Sequence, residues 1–139
     1  MVQTGNPACI EATLDYLKQG FNGLLFVNLV DFDMAYGHRN DPQGYADALA
    51  YFDQKLPEIQ SYLTPEDLLI ITADHGCDPT FPGTDHTREY VPILCWYPGM
   101  EKLVDLGTRK TYADMAATIA DFLDVKERFG AESFLKDIR

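Results

Sequence analysis

Every histidine in the 139-residue chain stands close to an aspartate. Asp33 and His38 lie in DFDMAYGHR, Asp74 and His75 in ADHG, and Asp85 and His86 in GTDHT. Carboxylate oxygens and imidazole nitrogens form the mixed donor set that Zn²⁺, Mn²⁺ or Fe²⁺ accepts. Donors drawn from separate loops can surround an ion and still leave a position open for substrate. Two such ions a few ångströms apart would clamp a phosphoryl group during in-line displacement. A lone Asp-His neighbour pair is weak evidence, because a single histidine is more often structural or a surface switch. Three pairs that use every histidine carry the metal reading, and isolated buried carboxylates would be costly without a cation.

The elements that must position these residues follow from apolar spacing. Residues 7–19 read as a short helix with Ile10, Leu14 and Leu17 on one side and Gly20 as its stop. Residues 23–30 (GLLFVNLV) read as a buried strand, and residues 68–73 (LLIITA) as a second. Between them Asp41-Pro42 is an N-cap with proline at the first helical position. It opens an amphipathic helix through Leu63 that Pro57 should kink or break. Strand, helix and strand make a βαβ unit, for which parallel pairing is expected. The first two Asp-His pairs then sit at strand C-termini, where open parallel sheets bind ligands. Residues 76–90 form a long loop, and residues 91–97 are a third strand candidate. Thr111 and Asp114 open a helix on Tyr112, Met115, Ala116, Ile119 and Leu123, and the tail after Asp124 is expected to dock as a last turn or two. The fold class is α/β, a mostly parallel sheet flanked by helices, with fewer strands than an open sheet normally has.

The stretches NLVDFDMAYGHR and LLIITADHGCDPTFPGTDHTREYVPIL, with the spacing between them, closely resemble the C-terminal portion of the phosphopentomutase family. That family belongs to the alkaline phosphatase superfamily, with cofactor-independent phosphoglycerate mutase. The resemblance runs from about Gly23 through residues 111–123. It implies an alkaline-phosphatase-like core and metal-dependent interconversion of (deoxy)ribose 1-phosphate and (deoxy)ribose 5-phosphate. It further implies that Asp33, His38 and His86 ligate one Mn²⁺ while Asp74 and His75 ligate a second. The ions would position and neutralise the transferring phosphoryl group. The family's nucleophilic threonine, a further metal-binding aspartate and the cap domain lie in its N-terminal portion. None of this chain's threonines stands in the nucleophile motif. Residues 1–139 are therefore expected to be a single partial domain of an incomplete core. The chain is expected to bind one metal and to be an inefficient mutase alone.

Around the ligands, Asp31 and Asp85 suit a role behind them, accepting a spare imidazole N–H and fixing its tautomer. Arg88 either meets a substrate phosphate as a planar fork or pairs with Glu89 or another acid, the latter preferred. Cys77 reads as a small loop residue near the site.

Composition bounds the alternatives. The chain is 46% hydrophobic, enough for a core, and carries a formal net charge of −11. That charge disfavours nucleic acid and anionic membrane surfaces as partners, and no apolar run approaches a bilayer span. Bound cations would still let an acidic chain serve a phosphorylated pentose. Three cysteines in no framework spacing, and an N-terminal segment without the marks of a signal peptide, lead us to expect the cytoplasm. Two other readings stand beside the mutase: a metal-dependent phosphohydrolase of the same superfamily, and a non-catalytic metal-binding fragment of a split enzyme. The last implies an N-terminal partner chain or self-association through exposed apolar edges.

Overall fold

A computed structural model describes residues 5–126 and 129–139. The chain divides into two compact units, Met1–Pro98 and Gly99–Arg139.

In the first unit, helix α1 (Asn6–Gln19) begins with Pro7 in its first turn and ends at Gly20, whose φ of 69° lies in the left-handed region. Its start is tied to a residue 25 positions on. The Asn6 N–H donates to Asp31 Oδ2 (2.6 Å), and the Asp31 N–H donates back to Asn6 Oδ1 (3.0 Å). Helix α2 (Pro42–Ser61) starts where the sequence places it, with Asp41 Oδ1 accepting the Gly44 N–H at 2.9 Å. The expected break at Pro57 does not occur, and the helix runs on to Ser61. Pro57 and Asp53 both lie on the exposed face, so water can serve the carbonyl that proline leaves without a donor. Ile10 and Leu14 of α1 pack with Ile59 of α2 as a buried core, flanked by Leu17, Leu29, Tyr51 and Phe52.

The sheet differs from the expected one. Strands β1 (Leu69–Thr72) and β2 (Ile93–Trp96) pair antiparallel, with Leu69 opposite Trp96 and Thr72 opposite Ile93. The segment joining them contains no helix, only a long loop closed by an antiparallel bridge between Gly76 and Thr87. Without a crossover helix the chain returns as an antiparallel neighbour. The predicted strand over residues 23–30 acquires no ladder among the described residues. A buried parallel strand needs partners beside it. Here Leu29 reaches the core, while Leu24 and Phe26 stay 60% and 82% exposed. The mostly parallel sheet is therefore replaced, among the described residues, by helices and one two-stranded antiparallel pair.

The second unit is built on α3 (Ala113–Phe122) and the terminal turn α4 (Leu135–Ile138), so the tail does form a last turn. Thr111 Oγ1 accepts the Ala113 N–H (3.2 Å), but Asp114 does not complete a reciprocal cap. It instead accepts from Arg109 Nε (3.1 Å) and the Glu132 N–H (3.2 Å). Thr118 Oγ1 donates to the Asp114 carbonyl (2.8 Å) and accepts the N–H of the fully buried Phe134 (3.0 Å). Among the described residues no helix is long and apolar enough to cross a membrane.

Candidate metal centre

Asp33 sits in a π-helical turn, Phe32–Tyr36, and His38 in the 3-10 turn Gly37–Arg39 that follows at once. π turns inserted in helical backbone are frequent at functional sites, because the extra residue redirects side chains. Asn40 closes this segment in the left-handed conformation at φ 51°. Its Nδ2 donates to the Phe81 carbonyl (3.0 Å), which fastens the long loop to the ligand turn. Gly37 has no space for a side chain, because a Cβ there would overlap Cys77 Sγ.

His75 follows β1 by three residues, and His86 lies across the loop. The Gly76–Thr87 bridge joins their neighbours, with the Thr87 N–H donating to the Gly76 carbonyl at 3.3 Å. The approach requires glycine: a Cβ at Gly76 would lie 2.6 Å from the Thr87 oxygen and the Glu89 nitrogen. Thr87 Oγ1 steadies the turn by accepting the Asp78 N–H (2.7 Å) and donating to Glu89 Oε2. His75 and His86, flanking the bridge, stack with ring centroids 3.8 Å apart.

These elements bring three imidazoles around one carboxylate oxygen. Asp33 Oδ1 lies 3.3 Å from His38 Nε2, 3.2 Å from His86 Nε2 and 4.0 Å from His75 Nε2. The oxygen is buried and has no hydrogen-bond partner. The other ring nitrogens face backbone carbonyls: His38 Nδ1 donates to Thr84 O, and His75 Nδ1 to Gly76 O (3.1 Å). A carbonyl only accepts, so each Nδ1 donates, and Nε2 is the ring atom turned toward Asp33. A buried carboxylate oxygen without a hydrogen-bond partner, ringed by imidazole nitrogens, is an environment that a cation satisfies, and the donor set fits a divalent metal. Burial pushes the Cys77 thiol above its ordinary range, helped by the negative charge of Asp33, and the Tyr45 phenol is raised mainly by burial.

The remaining sequence candidates lie at the edge of this group or away from it. Asp74 is 83% exposed on its side chain, with Oδ1 3.7 Å from His75 Nε2. Asp31 was expected to accept an imidazole N–H, but its carboxylate caps α1, and the carbonyls of Thr84 and Gly76 stand behind the histidines. Asp85 and Arg88 are exposed, and neither belongs to the convergent group. The reciprocal Asn6–Asp31 pair went unread in the sequence. A helix start with asparagine is a weak signal, and nothing local points to a partner 25 residues away.

The sequence pattern of the Metalloenzyme superfamily matches residues 2–127. A phosphopentomutase of Caldanaerobacter subterraneus subsp. tengcongensis is 58% identical over 138 residues, covering 99% of this chain and 35% of that protein. The phosphopentomutase of Lachnoclostridium phytofermentans is 54% identical over 138 residues, again 99% and 35%. That of Herpetosiphon aurantiacus is 52% identical over 134 residues, or 96% and 34%. The chain thus spans about a third of the length of the curated relatives it matches.

Proposed function

The chain belongs to the Metalloenzyme superfamily and is a phosphopentomutase homologue, and from that footing we propose that it is the metal-bearing portion of an enzyme interconverting (deoxy)ribose 1-phosphate and (deoxy)ribose 5-phosphate. The observation that carries this reading is the convergence of three histidine Nε2 atoms on the orphaned Asp33 Oδ1. By the family resemblance Asp33, His38 and His86 would hold one Mn²⁺, and His75 with Asp74 would contribute to a second. When bound, the ion polarises and neutralises a phosphoryl group in transfer. The chain's own residues supply placement. The π turn aims Asp33, backbone carbonyls orient His38 and His75 with Nε2 toward Asp33, and the bridge at Gly76 holds His75 and His86 on one side.

No residue here is assigned as nucleophile, and the chain alone is proposed to be an inefficient mutase. The exposed apolar run around Leu24 and Phe26 supports a complement that covers it, either an N-terminal portion of the same enzyme type or a second copy. Three free cysteines agree with a cytoplasmic setting.

The test is a chimera in which this chain replaces the matching third of the Caldanaerobacter phosphopentomutase. Conversion of ribose 1-phosphate to ribose 5-phosphate by the folded chimera supports the proposal. Release of inorganic phosphate without mutase turnover would instead establish a phosphohydrolase. Robust mutase turnover by the 139-residue chain alone would overturn the claim that it needs a complement.

A further inference from the structure

The connection from α1 to the π turn holds a reactive pair that has no part in the metal centre. The chain has four asparagines, Asn6, Asn22, Asn28 and Asn40, and of these Asn22 alone precedes glycine. We propose that Asn22-Gly23 is a site of spontaneous covalent modification, at which the folded chain deamidates through a cyclic imide to aspartyl and isoaspartyl forms.

The reaction needs only base and water. The Gly23 backbone nitrogen gives up its proton and attacks Asn22 Cγ. The bond from that nitrogen to Cγ forms, the Cγ–Nδ2 bond breaks, and Nδ2 takes a proton from solvent and leaves as ammonia. Water then opens the imide on either side of the nitrogen. Cleavage at Cγ gives aspartate, and cleavage at the main-chain carbonyl gives isoaspartate, which routes the backbone through Cβ and Cγ. Nothing is oxidised or reduced.

The structure leaves both reacting groups free. Asn22 and Gly23 lie in an exposed bend outside any helix or strand. Among the described residues, neither the Asn22 amide nor the Gly23 N–H has a hydrogen-bond partner. A Cβ built on Gly23 would meet nothing within 4 Å, and its φ of 135° is a conformation that glycine leaves easily. The backbone nitrogen can therefore turn toward Asn22 Cγ without breaking a contact.

The other asparagines are withheld, each for its own reason. Asn6 is 4% exposed and is followed by proline, whose nitrogen has no proton to lose. Asn28 is followed by Leu29, whose branched side chain packs against the α1–α2 core. Asn40 is held at both reacting groups. Its Nδ2 donates to the Phe81 carbonyl at 3.0 Å, and the Asp41 nitrogen that would attack it donates to the Tyr36 carbonyl at 3.0 Å.

The product adds negative charge to a chain already at −11. The isoaspartyl form also lengthens the main chain, in a connection whose ends are fixed by the Gly20 cap on one side and by Leu29 and the Asn6–Asp31 pair on the other. The exposed segment between them absorbs the change, so the helices should keep their structure.

The test incubates the full 139-residue chain in mildly alkaline buffer, with and without urea, and locates deamidation by peptide mass mapping. Far-ultraviolet circular dichroism checks that the sample without urea is folded. The proposal expects Asn22 to be modified first in the folded chain, at a rate within about twofold of its rate in urea, because no native structure protects it. An isoaspartate-specific methyltransferase should label the aged chain, and folded Asn22→Gln should lose that label. Modification of Asn22 slowed about tenfold or more by folding, earlier modification of Asn28 or Asn40 in the folded chain, or full labelling of aged Asn22→Gln would overturn the proposal.

Discussion

His75 and His86 stack face to face, with ring planes 24° apart and centroids 3.8 Å apart, although they stand eleven positions apart in sequence. Their alignment follows from the bridge at Gly76 and Thr87, which leaves no room for a side chain at Gly76. Gly76→Ala should therefore weaken metal binding without unfolding the helices. Its Cβ would press on backbone atoms at 2.6 Å, which cannot swing aside as a flexible side chain would. Calorimetric titration with Zn²⁺ should show a loss of about tenfold, the range seen when support behind a ligand is removed. Unchanged affinity would mean that the bridge does not set the histidines.

Asp31 offers a separation of capping from ligand support. Its carboxylate accepts the first N–H of α1 at 2.6 Å, and its own N–H is held by Asn6. Asp31→Ala removes a charged cap and should cost about 1–2 kcal/mol in urea denaturation. Because Asp31 does not meet an imidazole, metal affinity should stay within about twofold of wild type, and a tenfold loss would restore it to a role behind the ligands.

The parts that sequence made legible are those with local causes. Asp41-Pro42 announces α2 because the cap and the proline act within one turn. The histidines announce a metal because each stands beside an aspartate in a loop. Strand pairing is another matter. Residues 23–30 have the composition of a buried strand, but a strand exists only when a neighbour supplies the ladder, and among the described residues none does. The grouping of His75 with Asp33 and His86 was hidden for a similar reason. It depends on a close approach at Gly76 that no spacing rule encodes.

In the second unit, Asp114 is the hub of a buried polar network, 6% exposed and bonded to Arg109 and the Glu132 N–H. Asp114→Ala leaves the Arg109 guanidinium, whose side chain is 17% exposed, with the Glu132 carbonyl at 3.4 Å and the mostly solvated Glu132 carboxylate at 3.8 Å. The cost should be about 3 kcal/mol, the usual penalty for removing one partner of a buried ion pair. Asp114→Asn keeps the shape and one of the two acceptor oxygens and should cost roughly half as much. Equal losses in thermal denaturation would mean that one remaining acceptor does not hold the network and that both Asp114 oxygens are needed.

The contact between α1 and α2 carries its own pH signature. Lys55 Nζ lies 2.8 Å from Glu11 Oε1, and the pairing lowers the Glu11 carboxyl pKa and raises that of Lys55. A lowered carboxyl pKa gives stability that is present above the unfolded value and is lost as pH falls through the folded one. A raised lysine pKa gives stability that is present below the unfolded value and is lost as pH rises through the folded one. The contribution should therefore be flat from about pH 5 to about pH 10 and disappear at both extremes. Both groups are solvent-accessible, so salt should reduce it across the whole plateau. Lys55→Met should be less stable than wild type on that plateau at low ionic strength, and the difference should close in strong acid. A gap that persists with Glu11 protonated would assign the loss to packing of the lysine stem along α1, because the ion pair no longer exists there.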